Sequence, residues 1–211
     1  MQVTEQQRAV LAQGCAELAL ALDSEQQQKI NAYLDGLVKW NQAFNLTAIR
    51  DPAEMVVKHL LDSLAIHSAI QGTDILDVGT GPGLPGIPLA ILLPQRRFTL
   101  LDSNGKKTRF LVQMKHALQL DNVTVINDRI ESLTQPEQFD CITCRAFSSL
   151  QDFVAHCLHL LKPNGELVAM KGKVPDDEIA ALDHSILKVN IEKITVPYLN
   201  DERHLIRITR K

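Results

Sequence analysis

Asp77-Val78-Gly79-Thr80-Gly81-Pro82-Gly83-Leu84-Pro85-Gly86 contains four glycines and two prolines within ten residues. It follows an apolar run, Ile75 to Val78, that predicts a β-strand, and a helix is predicted to begin near Gly86. Glycines at such a turn allow positive φ and let a ligand approach the backbone. Ligands of open parallel sheets bind outside the carboxyl ends of the strands. The segment therefore predicts a nucleotide-type binding loop; the alternative is a merely tight strand-to-helix turn, which would need fewer glycines.

The chemistry of the ligand is indicated by Asp77. Gly81, Gly83 and Gly86 fit the dinucleotide pattern G-x-G-x-x-G, which alone is a weak signal. However, the Asp77 carboxylate at the strand end would repel a pyrophosphate placed over a helix N-terminus. The same carboxylate would attract the cationic ammonium or sulfonium side of S-adenosylmethionine, directly or through water. The loop thus favours S-adenosylmethionine, and an NAD(P) oxidoreductase is the disfavoured alternative.

Three further strand ends supply candidate ligand contacts. Asp102 ends the second predicted strand, where a carboxylate can accept both ribose hydroxyls; it can equally cap the helix that starts near Lys106. Asp128-Arg129-Ile130-Glu131 follows the third strand, where Ile130 can pack on an adenine ring and a backbone amide or carboxylate can address its polar edge. Arg145 follows the fourth strand, where a methyl acceptor should lie. A surface salt bridge is the alternative role for Arg145.

An α/β fold is predicted by the alternation of strands and helices after residue 70. The clearest helix is 106–120, and a terminal antiparallel hairpin is predicted at 188–196 and 204–209. Alternation of this kind implies a parallel sheet covered on both sides. The strands that precede the hairpin are expected at 75–78, 98–101, 123–126, 139–143 and 167–170.

The first 70 residues are predicted to be helical. Ser24 with Gln27 resembles a capping box, so a second helix should begin near Glu25. Residues 41–50 break the helical period and predict a connector. Asp51-Pro52 predicts a new helix that runs to about Ile70. We expect residues 1–70 to be a helical extension packed on residues 71–211, which form the single ligand-binding domain.

Composition bounds the possible partners and compartment. The chain has 211 residues, a net charge of −3 and four cysteines. A negative total argues against general charge-driven binding of nucleic acid but leaves room for a local basic patch. With no signal peptide and no run of about 18 apolar residues, a cytoplasmic protein without a membrane segment is expected.

Metal and thiol chemistry are not favoured by the sequence. Cys141 and Cys144 form a C-x-x-C pair inside a predicted strand, with no second cysteine pair to complete a zinc site, so core packing is the favoured reading. His156 and His159 are expected on a helix surface rather than on a metal. His59, Asp62 and Ser63 share one helical stretch and lack a nucleophile elbow, so they predict helix anchoring or a substrate-side wall. No metal is expected.

Six segments occur in an order that resembles one known family, the RsmG or GidB family of bacterial small-subunit ribosomal RNA methyltransferases. The resemblance covers about residues 30–210, and the GTGPGLPG string is its most specific part. The segments are Asn45-Leu46-Thr47, His59-Leu60-Leu61-Asp62-Ser63, residues 77–86, Arg145-Ala146-Phe147, Met170-Lys171-Gly172 and Glu202-Arg203-His204-Leu205.

The resemblance implies a Rossmann-like class I methyltransferase fold, with a seven-stranded, mostly parallel sheet, a C-terminal antiparallel hairpin and an N-terminal helical extension. It implies methylation of N7 of guanine 527 in 16S ribosomal RNA, with S-adenosylmethionine as donor. Family members often have serine before the arginine of the fourth-strand motif, where this chain has Cys144. The donor contacts implied by the resemblance fall on Gly79, Leu84, Ile130, Glu131 and Arg145, with Asp102 at the ribose.

N7 of guanine carries a lone pair and loses no proton on methylation, so no general base is expected. Arg145 is expected to orient the base or the donor. The partner implied is 16S ribosomal RNA in the small subunit or its precursor, and the alternative acceptor is another RNA or a small molecule. A further alternative is that the chain is a non-catalytic ribosome-assembly factor. Phosphate contacts are expected from basic residues at the open edge of the sheet, with Lys171 and Arg203 foremost because they lie at strand termini. The RNA-binding candidates are Lys106, Lys107, Lys171, Arg203 and Arg207, with Arg109 and Lys173 as further possibilities.

Overall fold

A seven-stranded sheet forms the centre of the structure, a computed structural model that describes residues 2–211. The strand order is β3-β2-β1-β4-β5-β7-β6; the first five strands pair in parallel, and β7 pairs antiparallel with both β5 and β6. This confirms the predicted parallel sheet and its terminal hairpin. The strands are β1 Asp74–Val78, β2 Arg97–Leu101, β3 Val123–Ile126, β4 Phe139–Cys144, β5 Leu161–Lys171, β6 Leu187–Ile194 and β7 Arg203–Arg210.

Helices cover both faces of the sheet and build the N-terminal region. Short 3₁₀ turns lie at His67–Ala69, Ile130–Ser132 and Leu158–Leu160. Between β3 and β4, the 3₁₀ turn and a loop take the place of a crossover α-helix. The α-helices are α1 Glu5–Glu17, α2 Ser24–Phe44, α3 Pro52–Met55, α4 Asp62–Leu64, α5 Gly86–Leu92, α6 Gly105–Ala117, α7 Leu150–Cys157 and α8 Asp176–Ala180.

The boundaries of α2 differ from the sequence prediction. Its N-cap is Asp23, whose carboxylate accepts a hydrogen bond from the backbone N of Gln26 at 2.8 Å, and the Gln26 side chain completes the box. The predicted frame, with Ser24 as the cap, was therefore wrong by one residue. At its other end α2 continues to Phe44, and Asn45 in the left-handed region closes it. The connector to the next helix is shorter than predicted.

The helix predicted from Pro52 to about Ile70 has an irregular middle. Asp51 caps its start with Pro52 in the first turn, as expected. Val56–Leu61 then adopts π-helical geometry between α3 and α4, and α-helical structure ends at Leu64. π-helical turns inside α-helices occur frequently at functional sites. This one carries His59.

The N-terminal helices share one hydrophobic core with the sheet. Leu34 and Leu37 of α2 are fully buried and belong to the same cluster as Ile75 of β1 and Phe110 of α6. In α2, the hydroxyl of Tyr33 donates a hydrogen bond to the carbonyl of Pro82 at 2.8 Å. The extension therefore contacts the glycine loop itself. In residues 2–211, no helix combines the length and apolar character needed to cross a membrane.

Candidate active site

The glycine loop follows β1 and leads into α5. Gly79, Gly81 and Gly83 have φ of +65°, +62° and +99°, a region that costs other residues about 1–2 kcal/mol each. A Cβ added to Gly79 would meet no atom within 4 Å, whereas one at Gly83 would lie 2.8 Å from Leu111 Cδ2. Gly79 thus borders open space and Gly83 packs against the core. The open side of Gly79 leaves room for a ligand close to the backbone.

Asp77 lies fully buried beneath this loop. Its Oδ2 accepts hydrogen bonds from Thr80 Oγ1 at 2.6 Å and from the Gly86 backbone N at 2.8 Å, while Oδ1 has no partner. Burial raises the pKa of Asp77 to about 7, against the lowering effect of these two hydrogen bonds. The carboxylate therefore fastens the loop to the start of α5, a role that the sequence analysis missed. Oδ1 is unpartnered but buried, and its contact with an ammonium group stays a prediction.

Asp102 connects the loop to the end of β2. Its Oδ2 accepts from the Gly81 backbone N at 2.8 Å and its Oδ1 from the Asn104 backbone N at 2.8 Å. Asn104 is the N-cap of α6, so the alternative that Asp102 caps this helix was wrong. Lys107 Nζ lies 4.0 Å from Asp102 Oδ2. The ribose contact proposed for Asp102 stays a prediction.

A cavity of about 240 Å³ lies at the carboxyl ends of β1, β2 and β3. Four of the nine residues expected to contact the donor line it: Gly79, Asp102, Ile130 and Glu131. The other five, which are Asp77, Gly81, Gly83, Leu84 and Arg145, do not, and the Leu84 side chain is buried in the hydrophobic core. A larger cavity, about 670 Å³, lies at the opposite, amino ends of β1 and β2, away from all of these residues. The lining of the smaller cavity includes Val78, Gly79, Asp102, Ile130, Glu131 and Phe147.

Arg145 follows β4 beside this cavity and reaches toward the π-helical turn. Its Nη1 donates to the carbonyl of Lys58 at 3.2 Å and lies 3.3 Å from His59 Nδ1 and 3.8 Å from Asp62 Oδ2. Burial lowers the pKa of Arg145, and Asp62 opposes that effect. Arg145 in turn lowers the pKa of Asp77, so its charge acts on the floor of the glycine loop. A salt bridge with Asp62 does form, but it is largely buried.

Two more segments meet Arg145 through its partners. Arg203, at the start of β7, donates from Nε to Asp62 Oδ1 at 2.9 Å. Thr47 Oγ1 and His59 Nε2 form a hydrogen bond of 2.9 Å. Burial, reinforced by the charge of Arg145, lowers the pKa of His59 to about 4, so its ring is neutral near pH 7. The structure thus joins residues of four separate motifs into one polar cluster, which we call the Arg145 cluster: Thr47, His59, Asp62, Arg145 and Arg203.

The other basic candidates are placed less uniformly. Lys106 is exposed at the start of α6, whereas Lys171 pairs with Glu178 at 3.0 Å. Arg207 lies in mid-strand, opposite Val168, and pairs with Glu166 at 2.6 Å and with Glu192 at 3.5 Å. It was expected at the open edge of the sheet, and this placement was wrong because the β5–β7 register puts Arg203, not Arg207, at that edge.

The two cysteines of the C-x-x-C pair are placed in the core, as expected. Cys141 and Cys144 are free thiols, buried in β4, and burial raises the pKa of Cys141 to about 12. A protonated, inaccessible thiol packs in the core and is not a nucleophile. His159 is exposed beyond α7, where its ring bonds the Leu133 carbonyl. Across residues 2–211, no group of His, Cys, Asp and Glu is arranged to hold a metal ion.

Comparison with known proteins gives a consistent result. Residues 26–206 match the family model GidB, described as rRNA small subunit methyltransferase G. Ribosomal RNA small subunit methyltransferase G of Salmonella arizonae is 49% identical over 192 residues, 91% of this chain and 93% of the relative. The protein of the same name from Salmonella agona is 49% identical over 193 residues, 92% of this chain and 93% of its own.

Solved structures support the fold. A SAM dependent methyltransferase from Aquifex aeolicus superposes with a TM-score of 0.59 at 18% identity, over 78% of this chain and 96% of that one. TYW2 from M. jannaschii, in complex with AdoMet, gives a TM-score of 0.55 at 14% identity, over 71% and 77% of the two chains. At these identities the likeness shows a Rossmann-like methyltransferase fold, as predicted, and no more.

Proposed function

The chain belongs to the GidB family, rRNA small subunit methyltransferase G, and on that premise we propose that it methylates N7 of guanine 527 in 16S ribosomal RNA. Membership makes it an S-adenosylmethionine-dependent ribosomal RNA methyltransferase; the base and the atom are the proposed part. The observation that carries the proposal is that Gly79 and Asp102 border a nucleoside-sized cavity that is also lined by Phe147, two residues after Arg145 of the Arg145 cluster. Donor and acceptor can therefore meet at one point.

The donor side is proposed to consist of residues around the cavity. S-adenosylmethionine supplies an electrophilic methyl group on a sulfonium. Gly79 leaves the space that its ribose and methionine portions would need, Asp102 offers carboxylate oxygens to the ribose, and Ile130 offers an apolar surface to the adenine. For Leu84 only the backbone is available, since its side chain lies in the core. The full proposed set is Asp77, Gly79, Gly81, Gly83, Leu84, Asp102, Ile130, Glu131 and Arg145.

The acceptor side needs positioning rather than proton transfer. The N7 lone pair attacks the methyl carbon directly and no proton leaves, so the neutral ring of His59 is not required as a base. Correct alignment of two reactants alone supplies several kcal/mol. Arg145 has hydrogen-bond partners only at Nη1 among residues 2–211, which leaves Nε and Nη2 to orient the base or the donor. His59 and Asp62 hold the guanidinium in place for that task.

Contacts with the RNA backbone are proposed for basic residues near the same edge. Lys106 and Lys107 lie at the start of α6, while Lys171 and Arg203 lie where β5 ends and β7 begins. Phosphate contacts of this kind fix register and orientation. The proposed partner is 16S ribosomal RNA in the small subunit or its precursor. We also propose that residues 1–70 and 71–211 act as one unit, since Tyr33 holds the glycine loop.

The decisive test is transfer of a tritiated methyl group from labelled donor to small subunits that lack the modification, followed by mapping of the labelled base. Incorporation at N7 of guanine 527 is expected. Incorporation at another RNA position, or into a small molecule, would favour the alternative acceptor with the same donor. No incorporation into any acceptor, with S-adenosylhomocysteine still bound, would favour a non-catalytic assembly factor. Binding of NADH in place of S-adenosylhomocysteine would favour an oxidoreductase.

A further inference from the structure

A row of aromatic rings runs from the protein surface to the glycine loop. Phe44, the last residue of α2, exposes 46% of its surface, and its ring centroid lies 5.0 Å from that of Trp40. Trp40 lies 5.6 Å from Phe110 of α6, and Phe110 lies 6.1 Å from Tyr33. The Tyr33 hydroxyl donates a hydrogen bond to the Pro82 carbonyl. Phe44 is the most exposed ring of this row, Trp40 is half-buried, and Phe110 and Tyr33 are fully buried.

The two segments that carry Phe44, Trp40 and Phe110 are basic, although the whole chain carries −3. Residues 36–50 and 105–117, which pack together through Trp40 and Phe110, contain no Asp or Glu. Within residues 2–211, only Lys107 of their basic side chains forms an ion pair, at 4.0 Å. We call the solvent-facing part of these segments the aromatic-basic face: Phe44 with Lys39, Arg50, Lys106, Lys107 and Arg109.

This face adjoins the proposed acceptor side through the loop that follows α2. Phe44 is three residues from Thr47, so their Cα atoms lie within about 11 Å of each other. Thr47 bonds His59 of the Arg145 cluster. The loop is held in place by Asn41, whose side chain donates to the Ile49 carbonyl at 2.9 Å and accepts from the Thr47 backbone N at 2.8 Å. Phe44 therefore has a fixed position at one side of the site.

We propose that the aromatic-basic face binds a single-stranded part of the RNA substrate next to the target base, with an unpaired base stacked on Phe44. The inference rests on the proposed function, because it assigns a binding subsite for the same substrate. A flat exposed ring on segments whose cations, apart from Lys107, form no ion pair within residues 2–211 suits a polyanion that carries flat bases. Stacking of a base on an aromatic side chain contributes about 1–3 kcal/mol and tolerates any base. An apolar protein surface would leave the cations uncompensated.

The test measures binding of a twelve-nucleotide unstructured RNA and of its abasic counterpart, which has the same phosphates and no bases. Trp40 is the only tryptophan of the chain and lies against Phe44, so its fluorescence reports occupancy of the subsite. Phe44→Ala and Phe44→Leu are expected to weaken RNA binding about 5- to 150-fold. Phe44→Tyr, which keeps a flat ring, should bind as the wild type does. The matched control is Tyr198→Leu, an equally exposed aromatic whose hydroxyl bonds Glu17 outside the face.

The outcomes separate the two proposals. Equal binding of RNA by the wild type, Phe44→Ala and Phe44→Leu would overturn the subsite, as would equal binding of RNA and abasic strand by the wild type. If the Phe44→Ala and Phe44→Leu variants lose binding to whole small subunits but bind naked RNA as the wild type does, the face binds a protein, and the RNA subsite is also overturned. Absence of methyl transfer by the wild-type enzyme would refute the proposed function alone, since the oligonucleotide measurements need no transfer. Calorimetry with S-adenosylhomocysteine should give the same affinity for every Phe44 variant.

Discussion

Arg203 and Asp62 form an ion pair, Nε to Oδ1 at 2.9 Å, that joins β7 to α4 across 141 positions of the chain. The Asp62 side chain is only 5% exposed. Burial raises its pKa, and the charges of Arg145 and Arg203 lower it. Burial outweighs these charges, so the pKa of Asp62 is raised overall. The pair ties the C-terminal hairpin to the helix that holds Arg145.

Arg203→Ala is expected to lower the free energy of unfolding by about 2–4 kcal/mol, because it leaves the Asp62 carboxylate buried with only Arg145 nearby. Asp62→Asn combined with Arg203→Ala removes both charges of this pair but leaves the buried Arg145 guanidinium without its carboxylate partner, so the double variant should stay less stable than the wild type. A double-mutant cycle in urea measures the coupling, expected at about 1–2 kcal/mol. Additive effects of the two substitutions would show that the pair contributes nothing to stability.

Arg203→Ala is also expected to weaken RNA binding while leaving the affinity for S-adenosylhomocysteine unchanged. The reason is that Arg203 contacts Asp62 and Glu202, not the cavity. Isothermal calorimetry on the folded variant measures both affinities. Equal loss of both would place Arg203 in the donor site through Asp62 and Arg145, and Arg203→Lys serves as the charge-preserving control.

Asp77→Asn is expected to change how stability depends on pH. The pKa of Asp77 is about 7 in the fold and about 4 in an unfolded chain, so the folded state binds more protons between these values. The wild-type free energy of unfolding therefore contains a term that falls as pH rises from about 4 to about 7. Asparagine removes that term and can still accept from the Gly86 N–H. Urea unfolding at pH 5, 6, 7 and 8 should show that the free energy of unfolding of the variant increases relative to that of the wild type as pH rises. A difference that stays constant with pH would contradict this.

His59→Gln is expected to have the opposite effect. The pKa of His59 is about 4 in the fold against 6.5 in the unfolded chain, so the unfolded state binds more protons between these values. The free energy of unfolding of the wild type therefore decreases as pH falls from about 6.5 to about 4, whereas that of the variant does not contain this decrease. The His59 and Asp77 terms oppose each other in the wild type, so each single variant should reveal the slope of the other group. The double variant should lose both slopes, and a wild-type slope retained in it would assign the titration elsewhere.

The local sequence pattern predicted the bounds of most strands of the sheet well and those of β5 poorly. Predicted β1 to β4 start and end within one residue of the observed strands, because each is a short apolar run between turn residues. The start of β5 was missed by six residues. Its first half contains Lys162-Pro163-Asn164-Gly165, which is typical of a turn, yet the strand continues past it with a register shift against β4 between Phe139 and Cys141. A shift of that kind depends on the neighbouring strand and has no signature in the chain itself.

Part of the candidate site could likewise be predicted from the sequence, and part could not. Gly79, Asp102 and Ile130 could be placed together from sequence because parallel strands all end at one edge of a sheet. The Arg145 cluster could not, since Thr47, His59 and Arg203 reach Arg145 only through the docking of the extension and the hairpin. The sequence likewise shows where charges are but not which are paired, and for that reason Arg207 was expected at the RNA when it is held by glutamates.

The glycine loop allows a contrast between a ligand-facing and a core-facing glycine. Gly79→Ala adds a methyl group into open space, so the fold should lose only the cost of φ +65°, about 1–2 kcal/mol. The same methyl group would occupy the side of the loop proposed for the donor, and the affinity for S-adenosylhomocysteine should fall at least tenfold. Gly86→Ala would press its Cβ against Leu100 Cδ2 and to 2.7 Å from Asp77 Oδ2, which should destabilise the fold more than Gly79→Ala does.

Calorimetry and urea unfolding on the same samples separate these effects. Gly105→Ala at the start of α6 is the control, because its Cβ would meet only Asn127 Oδ1, at 3.5 Å, and it should change neither quantity much. In Gly79→Ala, the affinity for S-adenosylhomocysteine should therefore fall more than the free energy of unfolding does. In Gly86→Ala both quantities should fall together, because Asp77 can no longer hold the loop. Wild-type affinity in a folded Gly79→Ala protein would mean that the donor does not pass over Gly79, and the cavity beside Asp102 and Ile130 would then have to be entered from another side.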